Sequence, residues 1–178
     1  GVEWDDHAVR LPRSGMEIDF GGIGKEYAAD RAAAIAIAAG IAHGYVNLAG
    51  DVRVWGGRPE GAPWRVGIRH PRIEGETIGG IEIADGAVAT SGDYERCFEV
   101  GGLRYCHILD ATTGWPVQGW RSVSVAAPLC VVAGSGATVG MLLGDAAPAW
   151  LDAQGVDWLG VDAAGRVRKP ADPLKTSA

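Results

Sequence analysis

Basic runs, repeats and cysteine motifs are missing from this chain, and each absence removes a class of function. Lysine and arginine total 16 against 22 acidic residues, a formal charge of −6. With no Lys/Arg cluster, the electrostatic footprint of a nucleic-acid binder is absent. The three cysteines, Cys97, Cys106 and Cys130, have no CxxC spacing, which argues against a zinc site or a disulfide framework. Cys97 and Cys106 flank Gly101-Gly102, so a hairpin could bring them together, either bridged or as free thiols. No signal segment, early lipidation cysteine or long transmembrane run is evident. The first residue is Gly1 rather than Met, so a processed or trimmed product is expected, and localisation is not legible from the residues. No internal repeat is present.

What is there suits a folded domain. The 178 residues are 47% hydrophobic and 21% charged, enough to bury a substantial core and too apolar for disorder. One domain over 1–168 is expected, with a flexible tail over 169–178. The 28 glycines fall mostly at expected turns, which implies many short elements.

Residues 2–11 read as a strand, and 16–20 as a second short one. Helical spacing runs from Ile23 to Ala39, with Gly40 as its stop. Strands are expected over 45–48, 52–55, 64–68, 77–83 and 87–90, with Asp85-Gly86 a tight-turn signal. A hairpin over 94–108 turns at Gly101-Gly102. A strand over 122–126, helices over 129–143 and 148–154, and a strand over 158–161 complete the chain. The fold class is α+β, antiparallel strands packed with a few helices.

Three clusters carry chemistry. In the first, Asp19-Phe20-Gly21-Gly22-Ile23-Gly24-Lys25, a double glycine leads into a helix whose N-terminus attracts anions. Lys25 opposes the helix dipole there, which makes sense if it meets an anion; a structural turn with a solvated lysine is the other reading. Asp19 could bind a ligand hydroxyl or ring N–H, or cap the helix. The glycine spacing, and the absence of Ser/Thr after the lysine, rule out a Walker A loop.

The second cluster, Ala89-Thr90-Ser91-Gly92-Asp93-Tyr94, offers hydroxyls and backbone N–H groups at a bend, either as a turn or as a phosphate contact. The third runs from His107 through Asp110, Thr112 and Thr113 to Gly114-Trp115-Pro116. A histidine with an ordinary pKa near 6.5 suits proton removal from a hydroxyl, though a lone strand histidine is also a common packing residue. Trp55, Trp64, Trp115 and Trp120 could pass for a flavin-stacking set, but core packing explains most such residues.

In this order the clusters resemble the ApbE family of flavin transferases. Asp19 to Lys25 is similar to the family's Asp-Leu-Gly-Gly-Ile-Ala-Lys segment, and Val46-Asn47-Leu48-Ala49-Gly50-Asp51-Val52 to its Val-Asn-Leu-Gly-Gly-Asp-Ile strand. The blocks Trp64 to Pro71, Ala89 to Tyr94, His107 to Pro116 and Ser122 to Pro128 continue the series. The resemblance implies a T-fold-related core and transfer of FMN from FAD to a threonine of an acceptor protein, with release of AMP.

It further implies His107 as general base. Asp19, Gly21, Lys25, Ser91, Ile108 and Asp110 are implied as FAD contacts, and Gly22 (through its carbonyl) and Thr138 as ligands of Mg2+. It also implies the cell envelope or periplasm, with the cytoplasm as the other reading. A non-catalytic FAD-binding module and an FAD pyrophosphatase giving FMN and AMP are the alternatives.

Three departures stand out. The family's metal-binding aspartate, four residues before the threonine, aligns with Gly134. Loss of a carboxylate implies a weaker magnesium site, with Ser135, FAD phosphates or water supplying ligands, and Gly134→Asp is expected to tighten it. Glu26 stands where the family usually has glycine and could form an ion pair with Lys25. The family's N-terminal portion is missing, so a fragment, a short form, a homodimer or a complementing half is expected.

Overall fold

In the computed structural model, which describes residues 1–170, the core is a six-stranded antiparallel sheet with helices on one face. The chain opens with a two-strand hairpin, β1 (Glu3–Trp4) and β2 (Val9–Arg10), turned by Asp5, whose carboxylate accepts from the N–H groups of His7 and Ala8. The single strand expected over 2–11 is therefore two, because that Asx turn reverses the chain. Residues 16–20 form no strand and approach the first helix as irregular backbone. The flexible tail expected over 169–178 falls, from residue 171, outside the described residues.

Helix α1 (Gly24–Ala38) follows, and Gly40 takes φ +86 at its end, the left-handed stop that the sequence indicated. Its alanines Ala29 and Ala33 are buried, so the helix lies close against the sheet. Strands β3 (Gly44–Leu48) and β4 (Asp51–Trp55) form a hairpin closed by Ala49 at φ +54 and Gly50 at φ +97. A paired left-handed turn of this kind follows strand twist, but Ala49 carries a Cβ where glycine is preferred.

A third hairpin, β5 (Trp64–Arg69) with β6 (Thr77–Ile83), covers the opposite face of the sheet. Ile68 packs there with Val88 and Ala126, joined by Val66 and Ile81. Strand β7 (Gly86–Gly92) runs through the sheet centre, and the expected hairpin appears as β8 (Cys97–Val100) and β9 (Leu103–Cys106). Cys97 and Cys106 are cross-strand partners in it and both are free thiols.

The long strand β10 (Trp120–Ala127) leads into α2 (Cys130–Leu143), α3 (Ala147–Ala153), β11 (Asp157–Asp162) and β12 (Val167–Arg168). The sheet order is β12-β11-β10-β7-β4-β3. Along β10 the pleat sends Val123 and Val125 toward α2 and α3, where they meet Met141 and Leu151. These four side chains are fully buried, each contributing roughly 1.5–3 kcal/mol. The run Cys130–Ala153 has the length and hydropathy of a membrane span. It is broken by a 3-10 turn at Gly144–Ala146, and its buried residues are core positions of this sheet.

Candidate active site

A cleft of about 1270 Å³ opens beside the N-terminus of α1 and passes the Ala49-Gly50 turn from one face of the sheet to the other. Asp19, Gly21, Gly22 and Lys25 form one lip; Ser91, Thr138, His107 and Ile108 line it from the sheet, α2 and the end of β9. Eight of the nine residues singled out from sequence thus share one space, although they come from distant parts of the chain.

Asp110 is the exception. Its carboxylate accepts from the N–H and Oγ1 of Thr112, at 2.8 and 2.7 Å, and the Thr112 hydrogen bonds hold it below the usual carboxylate range. Those bonds fold the turn that returns at Gly114 (φ +72) and closes with Leu109 bridged to Pro116. Asp110 therefore shapes the loop and does not line the cleft. The loop sinks Ile108 into the main core and leaves His107 at the cleft surface.

His107 follows the last residue of β9, where its N–H donates to the Arg96 carbonyl at 3.1 Å. The residue is open to the cleft, yet the walls shield it enough to lower its pKa below 6.5, with the charges of Arg96 and Lys25 acting the same way. A neutral imidazole at pH 7 can take a proton.

On the opposite lip, Asp19 does not cap α1. Its Oδ1 accepts from the Gly21 N–H at 2.6 Å, bracing the glycine loop ahead of the helix. A Cβ at Gly22 would meet no protein atom within 4 Å, so that position lies open. Lys25 pairs with the buried Asp51 of β4 and not with its neighbour Glu26, since adjacent residues on a helix do not face each other. Burial alone would lower the Lys25 ammonium, but the hydrogen bond and charge of Asp51, with Glu26 adding to them, raise it. It stays a cation at the mouth of the anion-attracting helix.

Glu26 turns inward instead. It is 6% exposed, and a Cβ on Gly134 would sit 2.5 Å from its Cγ and 2.6 Å from its Oε1. The glycine on α2 is what admits the glutamate from α1. Gly134→Asp by itself would therefore drive a side chain into Glu26, which argues against the expectation that it tightens a metal site. Ser135 points away as well; it is exposed and lines a separate apolar groove with Trp150. Thr138, one turn along α2 from Gly134, does reach the cleft and shares a 2.9 Å hydrogen bond with Ser91.

Sequence reasoning missed several wall residues. Asp51 carried no role in the sequence reading, although an aspartate directly after a glycine turn is a visible signal. Tyr45 and Trp64 form an aromatic pair with ring centroids 5.5 Å apart at the cleft. Of the four tryptophans weighed, Trp55 and Trp120 are core residues, Trp115 is exposed and Trp64 lines the cleft. Tyr94 lies across Gly92, where a Cβ would come within 2.3 Å of its ring, and burial raises its hydroxyl pKa.

Comparison with known proteins places the chain's sequence and fold. The model of the ApbE family matches residues 1–159. An FAD:protein FMN transferase of Vibrio cholerae is 37% identical over 132 residues, covering 73% of this chain and 40% of that protein. The enzyme of the same name from Rhodobacter capsulatus is 42% identical over 118 residues, covering 66% of this chain and 22% of its own length. Among solved structures, an ApbE protein of Thermotoga maritima superposes with a TM-score of 0.86 at 38% identity, covering 96% of this chain and 57% of that one. The flavin transferase ApbE of Vibrio cholerae superposes at 0.82 with 28% identity, covering 96% and 56%. The chain thus spans 40% of the length of the first curated relative and little more than half of the solved ones.

Proposed function

This chain belongs to the ApbE family, and from that premise we propose that it carries the flavin-handling site of an FAD:protein FMN transferase. It moves FMN from FAD to a threonine hydroxyl of an acceptor protein and releases AMP. The observation that carries this reading is the convergence of Asp19, Gly21, Lys25, Ser91, His107 and Ile108 on one large cleft. Its volume of about 1270 Å³ is ample for a dinucleotide.

The reaction needs a base, an anion cradle and an exclusion of competing bonds. Neutral His107 takes the proton of the threonine hydroxyl as its oxygen attacks the FMN-side phosphorus, and the bond from that phosphorus to the bridging oxygen breaks as AMP leaves. Lys25, held in place by Asp51, offers positive charge to the pyrophosphate. Asp19 has one oxygen committed to Gly21, leaving Oδ2 to accept from a ligand hydroxyl or ring N–H.

Magnesium held in the cleft would supply positive charge to the pyrophosphate and the leaving phosphate. The Gly22 carbonyl and the Thr138 hydroxyl are the residues that would hold it, from the two sides of the cleft. The wall suits a hard cation: an orphaned carboxylate oxygen is buried there, and the nearby Cys130 thiol, pushed up to about 12 chiefly by burial, offers no thiolate.

The test is AMP release from FAD with magnesium and a threonine-bearing acceptor domain. His107→Ala is expected to lower it by about 10² or more while FAD affinity stays within a few fold. FAD bound by the wild type with no AMP formed would favour a binding module. Free FMN in place of flavinylated acceptor would favour hydrolysis.

A further inference from the structure

The structure places a carboxylate where the sequence had shown only a missing one. Of the three buried side-chain oxygens without a hydrogen-bond partner among the described residues, those of Glu26, Ser122 and Asp157, only that of Glu26 belongs to a residue lining the cleft. Burying a carboxylate oxygen with no partner costs several kcal/mol in general, a cost that a bound cation would offset. The nearby cations are committed elsewhere: Lys25 to Asp51, and Arg53 to Asp30 and Asp85.

We infer that Glu26 is the carboxylate ligand of a divalent cation in this cleft, delivered from α1 into the space that Gly134 leaves on α2. This rests on the flavin-transfer reading only for the identity of the site, not for the ligand geometry. Positions 26 and 134 form a reciprocal pair. A glycine at 134 removes the Cβ that would otherwise stand 2.6 Å from Glu26 Oε1, and the longer glutamate spans the gap between the helices. The carboxylate end therefore lies beside the α2 face that bears Thr138 one turn later.

No group of three His, Cys, Asp or Glu side chains converges among the described residues. One carboxylate with a hydroxyl and a main-chain carbonyl is instead the sparse oxygen set on which magnesium keeps waters and binds substrate phosphates. The α2 sequence, read alone, had suggested a weakened site; packing against α1 restores the missing charge.

The experiment is a titration with Mn2+ as the spectroscopic probe, read by electron paramagnetic resonance and by calorimetry, with and without FAD, on the full chain. Glu26→Gln is expected to raise the Mn2+ Kd tenfold or more in both conditions, while its melting temperature without metal stays at the wild-type value or rises. A purely structural carboxylate would lower it. Gly134→Asp alone is expected to bind Mn2+ no better than wild type. The exchange Glu26→Gly with Gly134→Asp is expected to bring the Kd back within about threefold, because the carboxylate returns from the other helix.

Mn2+ binding by Glu26→Gln within twofold of wild type would overturn the assignment, as would absence of Mn2+ binding by wild type in both conditions. The flavin reading fails separately, by absence of FAD fluorescence quenching in a wild type that still binds Mn2+.

Discussion

Glu26 and Asp30 sit one turn apart on α1, both directed at α2, and they have opposite fates. Asp30 accepts from the N–H groups of Cys130 and Val131, at 2.8 and 3.0 Å, and lies 3.6 Å from Arg53. Helix α2 has no side-chain cap of its own, so a residue a hundred positions away supplies it. Glu26 is buried as deeply as the core, yet one of its oxygens has no partner. The same helix face thus carries one carboxylate that holds two helices together and one that the fold leaves unsatisfied. Burial of charge by itself does not separate structure from function; whether every lone pair is used does.

The sharpest way to break this contrast is to remove Asp30. Asp30→Ala is expected to lower stability by about 3 kcal/mol, since it strips a helix of its cap and Arg53 of one partner. Chemical denaturation measures it, and a loss under 1 kcal/mol would mean that Asp30 is no more structural than Glu26.

Next in size is the acid limb of catalysis across the cleft. With the His107 pKa held below 6.5, AMP release should be flat above that value and fall about tenfold per pH unit below the folded pKa, as the base becomes protonated. A limb that begins above pH 7 would argue against His107 as the base.

The carboxylate pair is then sharpened from the other side. Glu26→Met keeps the length of the side chain and removes the orphaned oxygen. In metal-free buffer it should stabilise the chain by about 1–2 kcal/mol, opposite in sign to Asp30→Ala. Destabilisation would show that Glu26 holds the fold as Asp30 does.

The smallest effect is expected at the cleft edge. Ala49 holds φ +54, and Ala49→Gly should raise stability by about 0.5–1 kcal/mol, the relief of left-handed strain less the added entropy of the unfolded chain. An unchanged or lower midpoint would mean that the Cβ is packed usefully.

Most strands and the three α-helices of the described residues were legible because period and punctuation agree locally: the run into Gly40, the pair Gly101-Gly102, the apolar stretch after Pro128. Where a side chain overrode the pattern, the reading slipped. Asp5 turned one expected strand into a hairpin, and residues 16–20 have no strand partner, which no local period reveals. The site was legible as separate clusters, but the spacing of Asp110 to His107 says nothing of whether its Oδ1 is already used by Thr112.

The sequence alone determined the α+β order, the glycine loop before α1, the histidine at the end of a strand and the resemblance that joins them, since each is written in residues close along the chain. Tertiary structure alone decided which acid Lys25 meets, what caps α2 and where the missing carboxylate went. Those depend on two helices a hundred residues apart in sequence packing at contact distance, and only there does the absence of one Cβ at Gly134 become room for Glu26.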